Sequence, residues 1–168
     1  MARTDFGRIA CSIARSAAIV GDAWALLVLR DVAVGLHRFD EIQQDLGIAT
    51  NVLSDRLQRL VDADVLHRHR YAQQPDRFDY VFTEKGRDLL PALLALMAWG
   101  DRWEAEPAGP PLLLHHRDCD HTTQAAVTCR QCGDDLTAES VEYRPGPGGR
   151  SAPGTARIAG LLKTSPPE

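Results

Sequence analysis

The sequence lacks any apolar stretch long enough to cross a membrane. Its longest uncharged apolar run near the N-terminus, Ala23 to Leu29, is far shorter than the ~20 residues that a spanning helix needs. No secretory leader is visible either. With 168 residues and 44% hydrophobic content, the chain can form one ordinary packed domain plus an appendage. We therefore expect a soluble, cytoplasmic globular protein.

An excess of positive charge is also missing. The net charge is −4 and the pI is near 5.8, whereas proteins that bind nucleic acids are usually basic. The total charge decides little, however, because salt screens charges that lie more than about 8 to 10 Å apart. The local distribution of basic side chains therefore matters more than the sum.

Internal repeats are absent, and the clearest single element is a helix near the middle of the chain. Leu53, Leu57, Leu60 and Val61 recur at helical spacing, so they form one apolar stripe that must face a core. Thr50 can cap the first turn, which places the helix start there or at Ala49. The opposite side of this helix is polar, with short side chains at its N-terminal end.

Two β-prone runs follow this helix. The first is VLHRHRY, from Val65 to Tyr71, and the second is FDYVF, from Phe78 to Phe82. A polar turn with Pro75 and Asp76 separates them, which predicts a hairpin. The first strand carries four basic or potentially basic side chains and no acid. A polar helix beside a basic hairpin is typical of a winged helix-turn-helix that binds duplex DNA.

The preceding segments complete a helix-turn-helix. A short helix is predicted from Ser12 to Val20, and an apolar helix capped by Asp22 runs to about Val34, where Gly35 ends it. The segment FDEIQQDL then forms a short amphipathic helix, and Gly47 to Ala49 turns the chain into the polar helix described above.

A leucine-rich helix follows the hairpin. Thr83 caps it, and Pro91 either kinks it or marks its effective start. Its apolar face is broader than one small winged domain can bury. We expect this face to join two copies of the chain into a two-fold dimer that addresses two DNA half-sites.

The remaining third of the chain differs in composition. Residues 1–104 form the predicted DNA-binding and dimerisation domain, residues 105–111 are a linker, residues 112–144 form a small Cys/His appendage, and residues 145–168 are a tail expected to be disordered. The predicted fold class is thus mainly α with a small β-wing, a winged helix-turn-helix domain with a zinc-ribbon-like β appendage.

Four cysteines in a reducing compartment favour thiol or metal chemistry over structural disulfides. In the appendage, one structural zinc ion per chain would be held by Cys119, His121, Cys129 and Cys132, with His115 and His116 as substitutes. Metal binding would supply the folding free energy that this segment, with few apolar residues, lacks. Free thiols and a redox-active cysteine pair are the alternatives.

The segments CSIARSAAIVGDAWALLVLRD, HRFDEIQQDLGIATNVLSDRLQRLVDADVL and YVFTEKGRDLLPAL resemble the HxlR family of bacterial winged-helix regulators. The resemblance covers roughly residues 8–104 in order. It implies a dimeric DNA-binding repressor or activator, with residues 49–62 as recognition helix and residues 65–82 as wing. Two positions depart from the family pattern: Ser12 replaces a common proline, and Asp64 replaces the glycine that usually ends the recognition helix.

The resemblance also implies a candidate sensor. Some family members sense oxidants or electrophiles through a cysteine just before the first helix, and Cys11 occupies that place. The sequence identifies no effector.

The candidate DNA contacts are polar side chains of the helix and arginines around it. The candidates for base edges are Thr50, Asn51, Ser54 and Gln58, and those for phosphates are Arg38, Arg56, Arg59, Arg68, Arg70 and Arg77. We do not expect an enzyme. Two other functions remain open, a small thiol- or zinc-dependent enzyme in the appendage and a winged domain used only for protein contacts.

Overall fold

The computed structural model describes residues 5–73 and 76–163. The first compact unit combines the residues up to Phe82 with those from Glu142 on. Among the described residues, it contains a 3₁₀ turn, four helices, two strands and a C-terminal helix. A second unit spans Thr83–Val141. This division differs from the expected domains, because the leucine-rich helix groups with the appendage.

The first unit begins with a 3₁₀ turn at Phe6–Arg8. Its helices and strands then run in the order α1 (Ser12–Val20), α2 (Ala23–Val34), α3 (Phe39–Leu46), α4 (Thr50–Asp62), β1 (Leu66–Gln73) and β2 (Asp76–Phe82). The predicted helix-turn-helix and wing are therefore confirmed. Pro75, in the predicted hairpin turn, lies outside the described residues.

The core of this unit lies between α2 and the two helices that follow. The almost completely buried side chains are Val28 and Leu29 of α2, Ile42 of α3, and Leu53, Leu57 and Leu60 of α4. Val61, the fourth residue of the predicted stripe, is only partly buried. Val65 and Leu66 continue the core into the start of β1. Burying each such side chain contributes roughly 1.5 to 3 kcal/mol, so this cluster fixes the relative positions of the three helices.

The wing is an antiparallel hairpin whose register pairs Arg68 with Tyr80 and Arg70 with Phe78. The register shifts between Arg70 and Ala72, as in a β-bulge. Arg38 pairs with Asp79 as an isolated bridge, and the Tyr80 amide donates to the His37 carbonyl at 2.7 Å. The segment before α3 thereby ties the wing to the helix-turn-helix.

The C-terminal residues do not follow the expectation of disorder. A helix spans Ala156–Lys163. The buried Thr155 precedes it and donates a hydrogen bond from its hydroxyl to the Arg150 carbonyl at 2.9 Å. Gly154 lies so close to Ile9 that an added Cβ would approach that side chain to 3.0 Å. Apolar residues at helical spacing, which the Pro- and Gly-rich composition conceals, account for the difference.

The second unit begins with α5 (Glu84–Trp103), which is capped by the Thr83 hydroxyl at 3.0 Å from the Gly86 amide. Pro91 lies inside this helix and does not mark its start. The short strands β3 (Leu114–His116) and β4 (His121–Thr123) then form a hairpin, and the C-terminal helix of the first unit becomes α6. None of the described helices has the length and hydropathy that crossing a membrane requires.

Gly47 sets the turn between α3 and α4. Its φ is +59°, in the left-handed region, and no atom lies within 4 Å of a Cβ placed on it. Gly47→Ala should therefore destabilise the fold by about 1 to 2 kcal/mol through backbone strain alone. The denaturant midpoint, with an unchanged slope, measures this loss.

Gly47→Asn is the matched control, because asparagine adopts this backbone conformation more readily than alanine does. It should lose less stability than Gly47→Ala. Equal stability of the alanine variant and the parent protein would contradict this account of the turn.

Candidate nucleic-acid interface

The polar face of α4 is open, as its sequence pattern predicts. Leu53, Leu57 and Leu60 are buried beneath the helix. On the opposite side, four predicted base-contacting residues are all exposed: Thr50, Asn51, Ser54 and Gln58. The same burial that holds the helix in the core therefore presents these side chains outward.

The first turn of α4 is held differently from our expectation. Ala49 occupies the capping position, and no side chain caps the helix. The Thr50 hydroxyl instead accepts a hydrogen bond from Gln43 Nε2 at 2.7 Å. The same amide nitrogen also donates to the Ile48 carbonyl oxygen, at 3.4 Å. Gln43 thus connects α3 with the start of α4, a role that the sequence did not reveal.

Arg56 is bound within the protein. Its guanidinium donates to both carboxylate oxygens of Asp22, at 2.6 and 3.0 Å, and also to Asp55. The hydrogen bond from Arg56 lowers the pKa of Asp22, and the same bond raises the pKa of Arg56. Arg56 was predicted to contact phosphate, but the structure places it in an ion pair between α4 and the start of α2.

Other side chains on this helix also have acidic neighbours. Arg59 lies 2.9 Å from the carboxylate of Asp55, and Gln58 donates to Asp62 at 2.6 Å. Both Arg59 and Gln58 remain exposed. An open ion pair of this kind contributes at most about 1 kcal/mol, so it can exchange for a phosphate.

The wing supplies the basic part of the surface. His67, Arg68, His69 and Arg70 are exposed on β1, and Arg77 is exposed on β2. Because side chains alternate along a strand, the two arginines of β1 share one face with Phe78 and Tyr80, and the histidines lie on the other. The Arg68 guanidinium lies 5.3 Å from the centre of the Phe78 ring, within range of a cation–π contact.

Two further groups border the wing. Burial raises the pKa of Tyr80, and the nearby Arg68 opposes that shift. Arg38 is exposed and lies 3.8 Å from Glu41 and 3.9 Å from Asp79, so both ion pairs are long. The structure thus places Arg38 at the edge of the hairpin, beside Asp79 of β2.

The predicted sensor and metal ligands lie elsewhere. Cys11 occupies the capping position of α1 and is partly exposed, and all four cysteines are free thiols. Within the described ranges, no three His, Cys, Asp or Glu side chains come together as a metal-binding group. The Cys132 amide, followed by the Gln131 amide, lowers the pKa of Cys129. A zinc ion on Cys119, His121, Cys129 and Cys132 stays a prediction.

Comparison with known proteins identifies the class of protein. The family model of the HxlR-like helix-turn-helix matches residues 19–107. The chain belongs to this family of winged helix-turn-helix transcriptional regulators. Cys11 precedes the matched residues.

Individual relatives agree with this assignment. An uncharacterised HTH-type transcriptional regulator of Mycobacterium tuberculosis strain H37Rv is 40% identical over 137 residues, which cover 82% of this chain and 87% of that protein. The crystal structure of PA1607, described as a candidate transcription factor, is 33% identical with a TM-score of 0.75 and covers 85% of this chain and 100% of its own. The redox regulator HypR in its reduced form is 27% identical with a TM-score of 0.52, covering 55% of this chain and 92% of its own.

Asp22 has two roles, which two substitutions can separate. Its carboxylate accepts hydrogen bonds from the amides of Trp24 and Ala25, and it also binds Arg56. Asp22→Asn keeps a good helix cap and removes only the charge, whereas Asp22→Ala removes both interactions. We expect the alanine variant to be less stable than the asparagine variant by about 1 kcal/mol in chemical denaturation.

The ion pair also predicts a pH dependence. The pKa of Asp22 is lowered from 3.8 in the folded protein, so the ionised carboxylate stabilises the fold. This contribution to stability is present above pH 3.8 and is lost as the pH falls through the lowered pKa. Stability of Asp22→Asn should therefore fall less steeply than that of the parent protein below that pH. Parallel curves for the two proteins would contradict this role of the carboxylate.

Proposed function

We propose that the protein is a homodimeric, sequence-specific DNA-binding regulator in which α4 enters the major groove and the β1–β2 wing contacts the phosphate backbone. The observation that carries this proposal is the exposed polar face of α4 in the same compact unit as a hairpin with exposed basic side chains. A helix supplies base contacts and a basic strand supplies charge neutralisation in proteins that read duplex DNA.

The proposed roles differ along the surface. Asn51 and Ser54 are the foremost base-reading side chains, because both are exposed on the first turns of α4. Thr50 and Gln58 can join them by exchanging their bonds with Gln43 and Asp62. Asparagine and glutamine can donate and accept together at an adenine edge.

The phosphate contacts are assigned to arginines around this helix: Arg38, Arg59, Arg68, Arg70 and Arg77. Each of them is exposed. Arg56 is left out, because its side chain is only 19% exposed and its guanidinium is held by both carboxylate oxygens of Asp22. The net charge of −4 does not oppose this assignment, since salt screens acids that lie beyond about 8 to 10 Å from the docked phosphates.

The dimer is proposed from α5. Leu96, Trp99 and Trp103 recur at helical spacing, and their exposed fractions are 48%, 56% and 62%. So large an apolar stripe on a helix marks a contact with another surface. A second copy of the chain fits, because a self-complementary two-fold contact also presents two α4 helices to two half-sites.

Cys11 stays a candidate redox or electrophile sensor. The partial exposure of its thiol at the start of α1 and the structural similarity to the redox regulator HypR support this assignment. A thiol near a helix N-terminus has the location in which reactive cysteines are found.

DNA binding is tested with sites selected from a random duplex pool by the full-length protein. Arg68→Ala should weaken binding to all sequences alike and reduce the slope of log affinity against log salt by about one unit. Asn51→Ala should instead reduce discrimination between selected and unselected sites by roughly 1 to 3 kcal/mol.

Arg157→Ala, on exposed α6, removes the same charge outside the proposed surface and should leave both quantities unchanged. Absence of duplex binding by the parent protein at ~50 mM salt, where phosphate contacts are strongest, would reject the DNA-binding function. It would favour a winged domain that contacts only proteins.

The dimer is tested by sedimentation. Leu96→Glu places a charge in the proposed contact, so we expect the dimer to dissociate by at least tenfold, because burying an unpaired charge costs several kcal/mol. Arg87→Glu is the control, since it is exposed on α5 about two and a half turns before Leu96 and therefore on the opposite side. A monomeric parent protein, or equal effects of the two variants, would contradict this interface.

A further inference from the structure

The appendage after α5 has ordered turns and strands without a hydrophobic core. Every described residue from 104 to 141 is exposed except Gly109, Leu114, Ala125 and Cys129, and those four are only partly covered. Even in the unit Thr83–Val141 that it forms with α5, no described apolar side chain is fully buried, and domains with so little core usually need disulfides, metals or oligomerisation to fold. The cysteines are free thiols, so disulfides do not supply the stability here.

The β3–β4 hairpin brings two potential metal ligands together. His116 Nδ1 lies 3.2 Å from Cys119 Sγ, across a turn in which Asp120 adopts a φ of +56°. Nitrogen and sulfur ligands of a tetrahedral zinc ion stand about 3.5 Å apart, given the usual bond lengths. His116 Nε2 lies 3.7 Å from the Asp118 carboxylate, the kind of outer partner that orients a metal-binding histidine.

A second turn of similar design holds the other two cysteines. Thr128 pairs with Asp135, and within this pair the Cys129 amide donates to the Asp134 carbonyl at 2.7 Å. The Gly133 amide donates to the Cys129 carbonyl at 2.8 Å, with φ of +84° at the glycine. These bonds close the turn that carries Cys129 and Cys132.

We propose that His116, Cys119, Cys129 and Cys132 bind one structural zinc ion that joins the two turns. Both turns place two ligands with two residues between them, the spacing of zinc ribbons. As they stand, the two pairs do not form a group of three or more ligands within the described residues, so zinc must draw the turns together. This movement would stabilise a segment that has no buried apolar side chains.

This ligand set replaces His121 with His116. The Nδ1 of His121 donates to the Cys119 carbonyl oxygen, so this ring is engaged by the backbone of the hairpin. A redox-active disulfide fits the second turn less well, because Cys129 and Cys132 lie between two short paired segments, whereas redox Cys-x-x-Cys pairs start a helix beside a βαβ sheet.

The test uses the full-length chain, prepared with zinc and reductant, and counts thiols that react with iodoacetamide by intact mass. We expect one zinc ion per chain and one reactive thiol, Cys11, which serves as an internal reference. After a chelator is added, four thiols should react. No bound zinc, or protection that reductant abolishes and chelator does not, would overturn the proposal; the second result would indicate a disulfide.

Two histidine variants identify the fourth ligand. Loss of an outer partner of a metal ligand costs roughly 10- to 100-fold in affinity. His116→Ala should weaken zinc binding by more than this, because it removes a ligand. His121→Ala should bind zinc with an affinity within a few-fold of that of the parent protein. Titration of the parent protein with Co²⁺ should give the absorption bands of a tetrahedral, sulfur-bound ion, and this readout needs no variant to fold. The reverse order of the two histidine variants, or octahedral Co²⁺ bands, would reject this ligand set.

Discussion

The burial of one helix face decides which surface of this protein can meet DNA. Leu53, Leu57 and Leu60 are almost completely covered, and burying three leucines contributes about 5 to 9 kcal/mol. The partly exposed ion pair between Asp22 and Arg56 contributes far less, at most about 1 kcal/mol. Hydrophobic burial therefore fixes the rotation of α4 about its axis. The ion pair and the Gln43–Thr50 hydrogen bond then set where the N-terminal end of the helix lies.

The charges of the helix and of the wing are arranged differently, which reconciles an acidic protein with a DNA-binding fold. On α4, Asp55 binds both Arg56 and Arg59, so the helix itself carries little net positive charge. On the wing, basic side chains are exposed along β1 and at Arg77. The proposed base contacts therefore lie on α4, whereas most of the proposed phosphate contacts lie on the wing. In that arrangement non-specific affinity depends mainly on the wing and sequence discrimination on α4.

Sequence periodicity was sufficient to predict the helices of this domain and the buried face of α4, because these depend on neighbours three or four residues apart. It could not predict the ion pair of Arg56, because the partner Asp22 lies 34 residues away and was recognisable in the sequence only as a helix cap. The same limit applies to Gln43, which is polar on a short amphipathic helix and gives no local sign of its bond to Thr50. The histidines of the appendage show it again, because only their contacts distinguish them: His116 Nδ1 lies near Cys119 Sγ, whereas His121 Nδ1 donates to the Cys119 carbonyl oxygen.

A second acid on α2 responds to pH in the opposite direction to Asp22. Asp31 is almost completely buried, and one of its oxygens has no hydrogen-bond partner in the described part of the chain, while the other accepts from Arg30. Burial raises the pKa of Asp31 above 3.8, so its contribution to stability is lost as the pH rises through the raised pKa. Arg30 also binds Asp45, at 2.8 Å, and this charge network joins α2 to α3. Asp22 loses its contribution to stability at low pH and Asp31 at higher pH, so the two ends of α2 are stabilised under opposite conditions. The burial of Leu53, Leu57 and Leu60 does not depend on pH, and it therefore holds the helices together in both ranges.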